Sequence, residues 1–162
     1  MSNLHQTAAL PWVSRHIVRA GGLIGVGFAA ASDLLLVATH DGRGVVDCVT
    51  GELLARDHDP LFPFDEDRRT AQGIGPLADQ EISIAGPIYG GALPTQTQDG
   101  WRLSGSLTNS SDDVVTLLPP PDNAGEPSTF TGFVPEVRVF GFSPTGRSFV
   151  IGTGAEVYTF AR

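Results

Sequence analysis

The chain has 162 residues, 41% of them hydrophobic, and a formal net charge of −8, enough for one domain with a filled core. The acidic balance, with an isoelectric point near 4.7, excludes the clustered cations that binding a nucleic-acid backbone requires. The single cysteine, Cys48, excludes an internal disulfide framework and a cysteine-based zinc site; it lies in an apolar run and is expected to be a buried, inert thiol in a reducing cytoplasm.

Residues 4–10 read as one helical turn at most. Residues 21–39, GGLIGVGFAAASDLLLVAT, are nearly uncharged and follow Arg15 and Arg19, which superficially matches a membrane span or a signal peptide. Asp33 in the middle is costly in lipid, and Gly21, Gly22, Gly25 and Gly27 weaken a helix. The same pattern returns near the C-terminus as a hairpin, so a strand pair and a soluble chain without a membrane partner are expected here too. Val45 and Val46 follow the turn Asp41-Gly42-Arg43-Gly44, and Leu53-Leu54-Ala55 form a fourth strand after Thr50-Gly51-Glu52. Residues 57–80, rich in acidic, proline and glycine residues, read as a long loop with one possible helical turn at 66–72. A middle β region follows, with strands over 81–85, 101–107 and 114–118. Residues 119–132 read as a second long loop; within it 119–129, PPPDNAGEPST, is too proline-rich to hold a sheet ladder. No sustained helix is expected, so the fold class is all-β, built of antiparallel meanders in an open or barrel-like stack.

The strongest internal signal is a repeat. GVGFAAASDLLLVATHDGRGVVDC near the N-terminus resembles VFGFSPTGRSFVIGTGAEVYTF near the C-terminus. Gly27 and Phe28 match Gly141 and Phe142, Leu35-Leu36-Val37 match Phe149-Val150-Ile151, and Thr39 matches Thr153. A two-residue difference in the next turn then brings Val45 opposite Val157. The segment VRVFGFSPTGRSFVIGTGAEVYTF resembles a blade of the WD-repeat and quinoprotein-like β-propeller families, closely over 137–160 and more loosely over 23–56. That likeness implies blade-like sheets and no particular activity. The Gly-His and Trp-Asp signatures are missing, and the chain is long enough for three or four blades only.

Chemical motifs are sparse. Gly25-Val26-Gly27-Phe28-Ala29-Ala30 fits a phosphate-cradle pattern, with Asp47 some way beyond, but that chemistry needs glycines that open a helix. The repeat places them inside a strand, where they permit close packing. His40-Asp41 and His58-Asp59 offer metal-ligand types, yet adjacent side chains in a turn or strand diverge and share no focus. No G-x-S-x-G elbow occurs. Asp112-Asp113 and Asp65-Glu66-Asp67 read as solvated loop charges, and Asn109-Ser110-Ser111 as a turn. Ile88-Tyr89 and Trp101 read as core. No cofactor, metal or catalytic residue is expected.

The most unusual segment is 57–67, DHDPLFPFDED, where five carboxylates surround Leu61, Phe62 and Phe64. Asp57, Asp59, Phe62, Phe64, Asp65, Glu66 and Asp67 are the candidate partner-binding residues, because aromatic anchors rimmed by charge suit recognition of a basic protein. The alternative is a loop that tucks its phenylalanines against the sheet. The expected function is a non-enzymatic protein-binding module, in its most concrete form an acidic inhibitor or immunity-type protein acting on a bacterial toxin or enzyme. Two alternatives are a metal-dependent hydrolase using His40, His58 and nearby carboxylates, and a structural subunit that completes a larger β assembly.

Overall fold

The computed structural model describes residues 10–87, 90–108, 112–123, 125–133 and 136–162. Among these residues fourteen strands occur in chain order: β1 Val13–Arg19, β2 Leu23–Phe28, β3 Leu34–Thr39, β4 Gly42–Asp47, β5 Leu53–Asp57, β6 Phe64–Asp65, β7 Thr70–Gln72, β8 Glu81–Ser83, β9 Arg102–Ser106, β10 Val114–Leu118, β11 Ser128–Phe130, β12 Val137–Phe142, β13 Ser148–Thr153 and β14 Glu156–Ala161. The sole helical element among the described residues is a 3-10 turn at Gly75–Leu77. None of those residues forms a helix long and apolar enough to cross a membrane.

These strands make four small antiparallel sheets, in the orders β2-β3-β4-β5, β6-β7-β8, β11-β10-β9 and β1-β14-β13-β12. They form neither a closed barrel nor a propeller. Three hydrophobic clusters join them face to face. One lies between the β9–β11 sheet and the C-terminal sheet (Leu103, Leu117, Phe130, Phe149, Phe160). The next joins the C-terminal sheet to the β2–β5 sheet (Val139, Val150, Val157, Leu35, Val37), and the third joins that sheet to the β6–β8 sheet (Leu36, Val45, Ala71, Ile82).

This layering explains the sequence pattern. β3 and β13 are covered on both faces, so LLLVAT and SFVIGT are almost wholly buried, and such strands read as continuous apolar runs. The outer β10 and β8 have one wet face and alternate instead, as VVTLL and EIS do.

The repeat is closer than the side chains indicate. β2, β3 and β4 match β12, β13 and β14 at one constant offset: 137 minus 23, 148 minus 34 and 156 minus 42 are all 114. Both copies carry a register shift at the same place, Leu23/Gly25 and Val137/Val139. Both close their second turn alike: Thr39 Oγ1 donates to the Gly42 carbonyl and accepts from Asp41 N–H, while Thr153 Oγ1 donates to the Glu156 carbonyl and accepts from Ala155 N–H. The expected two-residue difference in this turn is therefore corrected. Val45 corresponds to Thr159, and Val157 corresponds to Arg43, because the threonine turn rather than matching apolar letters sets the register. Asp33 clips the copies together, its carboxylate accepting from Thr145 Oγ1 at 2.8 Å and Ser148 Oγ at 2.6 Å.

Three further expectations are corrected. The long loop over 57–80 contains β6, β7 and the 3-10 turn; strands of two and three residues are too short for periodicity to mark. The loop over 119–132 contains β11, whose Ser128–Phe130 pairs with Val115–Leu117, since the prolines stop at Pro127 and leave three residues able to pair. Asp113 is not a solvated charge: it is fully buried, and its carboxylate accepts from Thr108 N–H at 2.7 Å and Val137 N–H at 2.8 Å. It satisfies backbone donors that would otherwise be orphaned where two sheets meet. The expectations for residues 4–9, Ile88-Tyr89 and Asn109-Ser110-Ser111 lie outside the described residues.

β1 has no counterpart in the sequence reading. It supplies the outer strand of the C-terminal sheet, Val13 opposite Ala161 and Arg19 opposite Glu156. Trp12, just before it, is buried in the first cluster, with ring centroids 5.0 Å from Phe149 and 5.6 Å from Trp101.

Candidate functional site

The acidic segment starts at the end of β5 and is fixed by its own carboxylates. Asp57 Oδ1 accepts from Asp59 N–H at 3.0 Å, and Asp59 Oδ1 accepts from Leu61 N–H at 2.9 Å, two successive turns of the kind aspartate favours. Asp65 Oδ1 accepts from Arg68 N–H at 2.9 Å and closes the turn between β6 and β7.

Arg43 holds the segment from beneath. This buried β4 side chain donates to Asp57 Oδ2 from Nε at 3.1 Å and Nη2 at 2.6 Å, and from Nη1 to the Gln72 carbonyl at 2.7 Å. Its guanidinium also lies 5.1 Å from the centroid of the Phe62 ring, a favourable cation–π distance. One side chain thus ties β4, β5, β7 and the loop.

Phe62 is buried and meets the half-buried Phe64 edge-on at 6.4 Å. Phe62 is therefore a support rather than an exposed anchor, because its ring is needed to cover Arg43 and the edge of the third cluster. Leu61 takes the exposed place, with 87% of its surface in solvent. Asp59, Glu66 and Asp67 are exposed, and Asp57 and Asp65 are partly so. Beside the loop a shallow groove of about 450 Å³ is lined by Phe64, Asp65, Glu66, Thr70 and Glu81. The apolar side chain turned to solvent in this segment is thus Leu61 rather than Phe62, since alternation within five residues does not say which side chain turns inward.

The guanidinium of Arg43 and the Asp59 N–H, both donating to Asp57, lower its carboxyl pKa below the usual carboxylate range. A group more acidic in the folded state contributes stability above its unfolded pKa and loses it as pH falls through the folded value. Thermal denaturation between pH ~5 and pH ~2 is expected to show a falling melting temperature for the wild type and a shallower fall for Asp57→Asn. Parallel curves would remove Asp57 from the acid transition.

The other candidates separate. His40-Asp41 forms the two-residue turn between β3 and β4. Gly42, at φ +130°, lies so close to the Asp57 carbonyl that a Cβ would sit 2.0 Å from it. That contact brings both His-Asp pairs to one end of the sheet. Even so, among the described residues no group of three or more His, Cys, Asp or Glu side chains is placed to hold a metal ion. Gly25 and Gly27 lie inside β2, where a Cβ would meet the Ala85 and Ser83 carbonyls, so they serve close packing and not phosphate binding. Cys48 is fully buried, and burial together with the Asp33 and Asp47 carboxylates raises its thiol pKa far above the usual range. Trp101 is core.

Comparison of the chain with protein-family models, curated proteins and solved structures finds no match.

Proposed function

We propose that this protein is a non-enzymatic binding module that receives a basic protein partner on the Asp57–Asp67 loop, most concretely as an inhibitor or immunity-type protein of a bacterial toxin or enzyme. The observation that carries this reading is Leu61, an exposed apolar side chain in a run of carboxylates. The loop beneath it is already fixed by Arg43, Phe62 and two aspartate turns. A loop ordered before contact loses less entropy on binding, and the acidic rim speeds encounter with a cationic surface.

Affinity capture from the native organism tests the reading, with wild-type protein beside Leu61→Ser and a variant carrying Asp65→Ser, Glu66→Ser and Asp67→Ser. Leu61, Glu66 and Asp67 are exposed, and serine in place of the half-buried Asp65 keeps an oxygen that can accept from Arg68 N–H, so the variants are expected to fold like the wild type. A basic partner held by the wild type and lost at least tenfold by both variants supports the loop as the interface. Equal capture by all three sinks it.

A second reading has its own observation. The edge strands β1 and β5 expose Val13, Ile17, Leu53 and Leu54, and open edges are pairing surfaces. Self-association through them would mark a subunit of a larger β assembly; light scattering showing a strict monomer at high concentration would count against it.

A further inference from the structure

A second cavity lies away from the acidic loop's exposed tip, at the junction of three sheets. It measures about 310 Å³ and is walled by Phe28 at the end of β2, Ser83, Ile84 and Ala85 running out of β8, the strap 91–94, and Pro144 in the turn before β13. Its floor is apolar: Ile84 and Ala85 are buried, and Phe28 and Leu93 are half-buried. Among the described residues, Arg68 and Arg69 line the cavity and no carboxylate does. In a chain with a net charge of −8, this is a local reversal of sign.

Two details show how Arg69 is held there. Its backbone sits at φ +55°, a left-handed conformation that is uncommon for a residue other than glycine, asparagine or aspartate. Its carbonyl accepts from Ile84 N–H at 2.8 Å, which locks the strained residue to the cavity floor. Strain retained in a residue that lines a cleft is a pointer to function. Among the described residues the Arg69 guanidinium has no hydrogen-bond or ion-pair partner. Arg68 has one loose exposed pair, Nε to Asp65 at 3.9 Å, and such pairs contribute little.

We propose that this cavity binds a small aromatic monocarboxylate, its ring on Phe28, Ile84 and Leu93 and its carboxylate on Arg69 and Arg68. A guanidinium matches a carboxylate through two parallel hydrogen bonds. The volume is at the lower limit of ligand sites, which start at about 300 Å³, and fits one ring. A bare phosphate would leave the apolar floor unfilled, with the Ser83 hydroxyl as the one further polar side chain among the described residues of the lining. This proposal does not depend on the acidic loop.

The test is titration of the isotope-labelled full chain with 3-phenylpropionate, followed by amide chemical shifts. 3-Phenylpropanol serves as the uncharged isostere and inorganic phosphate as the bare anion. Arg69→Asn keeps a residue that tolerates the left-handed backbone, and Ala92→Phe puts a ring at an exposed wall position of the cavity while leaving both arginines in the sequence. Saturable shifts around Phe28, Ile84 and Leu93, at least tenfold weaker for the alcohol and for both variants, establish the site. Three results overturn it: no saturable response to 3-phenylpropionate, an unchanged response in Ala92→Phe, or phosphate competing as well as the organic acid.

Discussion

Trp12→Ala is expected to cost about 3 to 5 kcal/mol, the range for removing a large aromatic side chain from a core, out of a total of about 5 to 15 kcal/mol. The indole is buried to 1% and packs on Trp101, Phe142 and Phe149. Arg162 covers it at 4.9 Å, so the same ring holds both ends of the described chain. Its loss opens a cavity in the first cluster and frees the start of β1 from β14. Trp12→Phe is expected to cost much less. It keeps an aromatic ring in place, and it removes an indole N–H that has no hydrogen-bond partner among the described residues. Urea denaturation checks both; equal midpoints for Trp12→Ala and the wild type would mean that β1 docks without its anchor.

Gly27→Val carries the second large effect, also about 3 to 5 kcal/mol, from overpacking and broken backbone pairing. A Cβ at Gly27 would sit 2.0 Å from the Ser83 carbonyl oxygen and 2.8 Å from Ile82 Cγ2. The backbone atom can move only by carrying residues 82–85 away from β2. That breaks the paired hydrogen bonds between Val26 and Ala85, 2.9 and 2.8 Å long, and separates the β6–β8 sheet from its neighbour. Gly44→Ala in the next-but-one strand is the control, because nothing approaches its Cβ position closer than 3.7 Å. A Gly27→Val protein as stable in urea as Gly44→Ala would show that the two sheets are not in close contact.

The two central sheets were legible in the sequence because burial on both faces writes itself as unbroken apolar runs between turns with clear chemistry. Pro144 through Arg147 and His40-Asp41 mark those turns without help from packing. Strand glycines were legible for a related reason, since the repeat placed Gly27 beside Gly141 inside a strand. What escaped was set by distant partners. β1 shows one buried residue in seven, so no alternation marks it, and its partner is far away in the chain. β6, β7 and β11 are two or three residues long and exist because neighbouring sheets offer an edge. Arg43 looks like a turn residue until Asp57, Gln72 and Phe62 close around it. At the acidic loop, composition singled out the segment as unusual, but which side chain faces outward depended on that arginine. The arginine-lined cavity left no sequence signal beyond two adjacent arginines after an acidic run.

The pairing of β1 with β14 has a consequence for how the molecule is made. Thr159 and His16, joined across that pair, are 143 positions apart, and ribosomes add about 5 to 20 residues per second. The N-terminal strand must therefore wait for several seconds with Val18, the residue it buries in the folded sheet, and its backbone groups uncovered before its mate emerges. Val13 ends opposite Ala161, so a short linker from the C-terminus to β1, with new ends cut in an exposed loop, would turn the most remote pairing into an adjacent hairpin. Such a rearranged chain closes its last sheet locally, and topology-limited folding is faster when contacts are local.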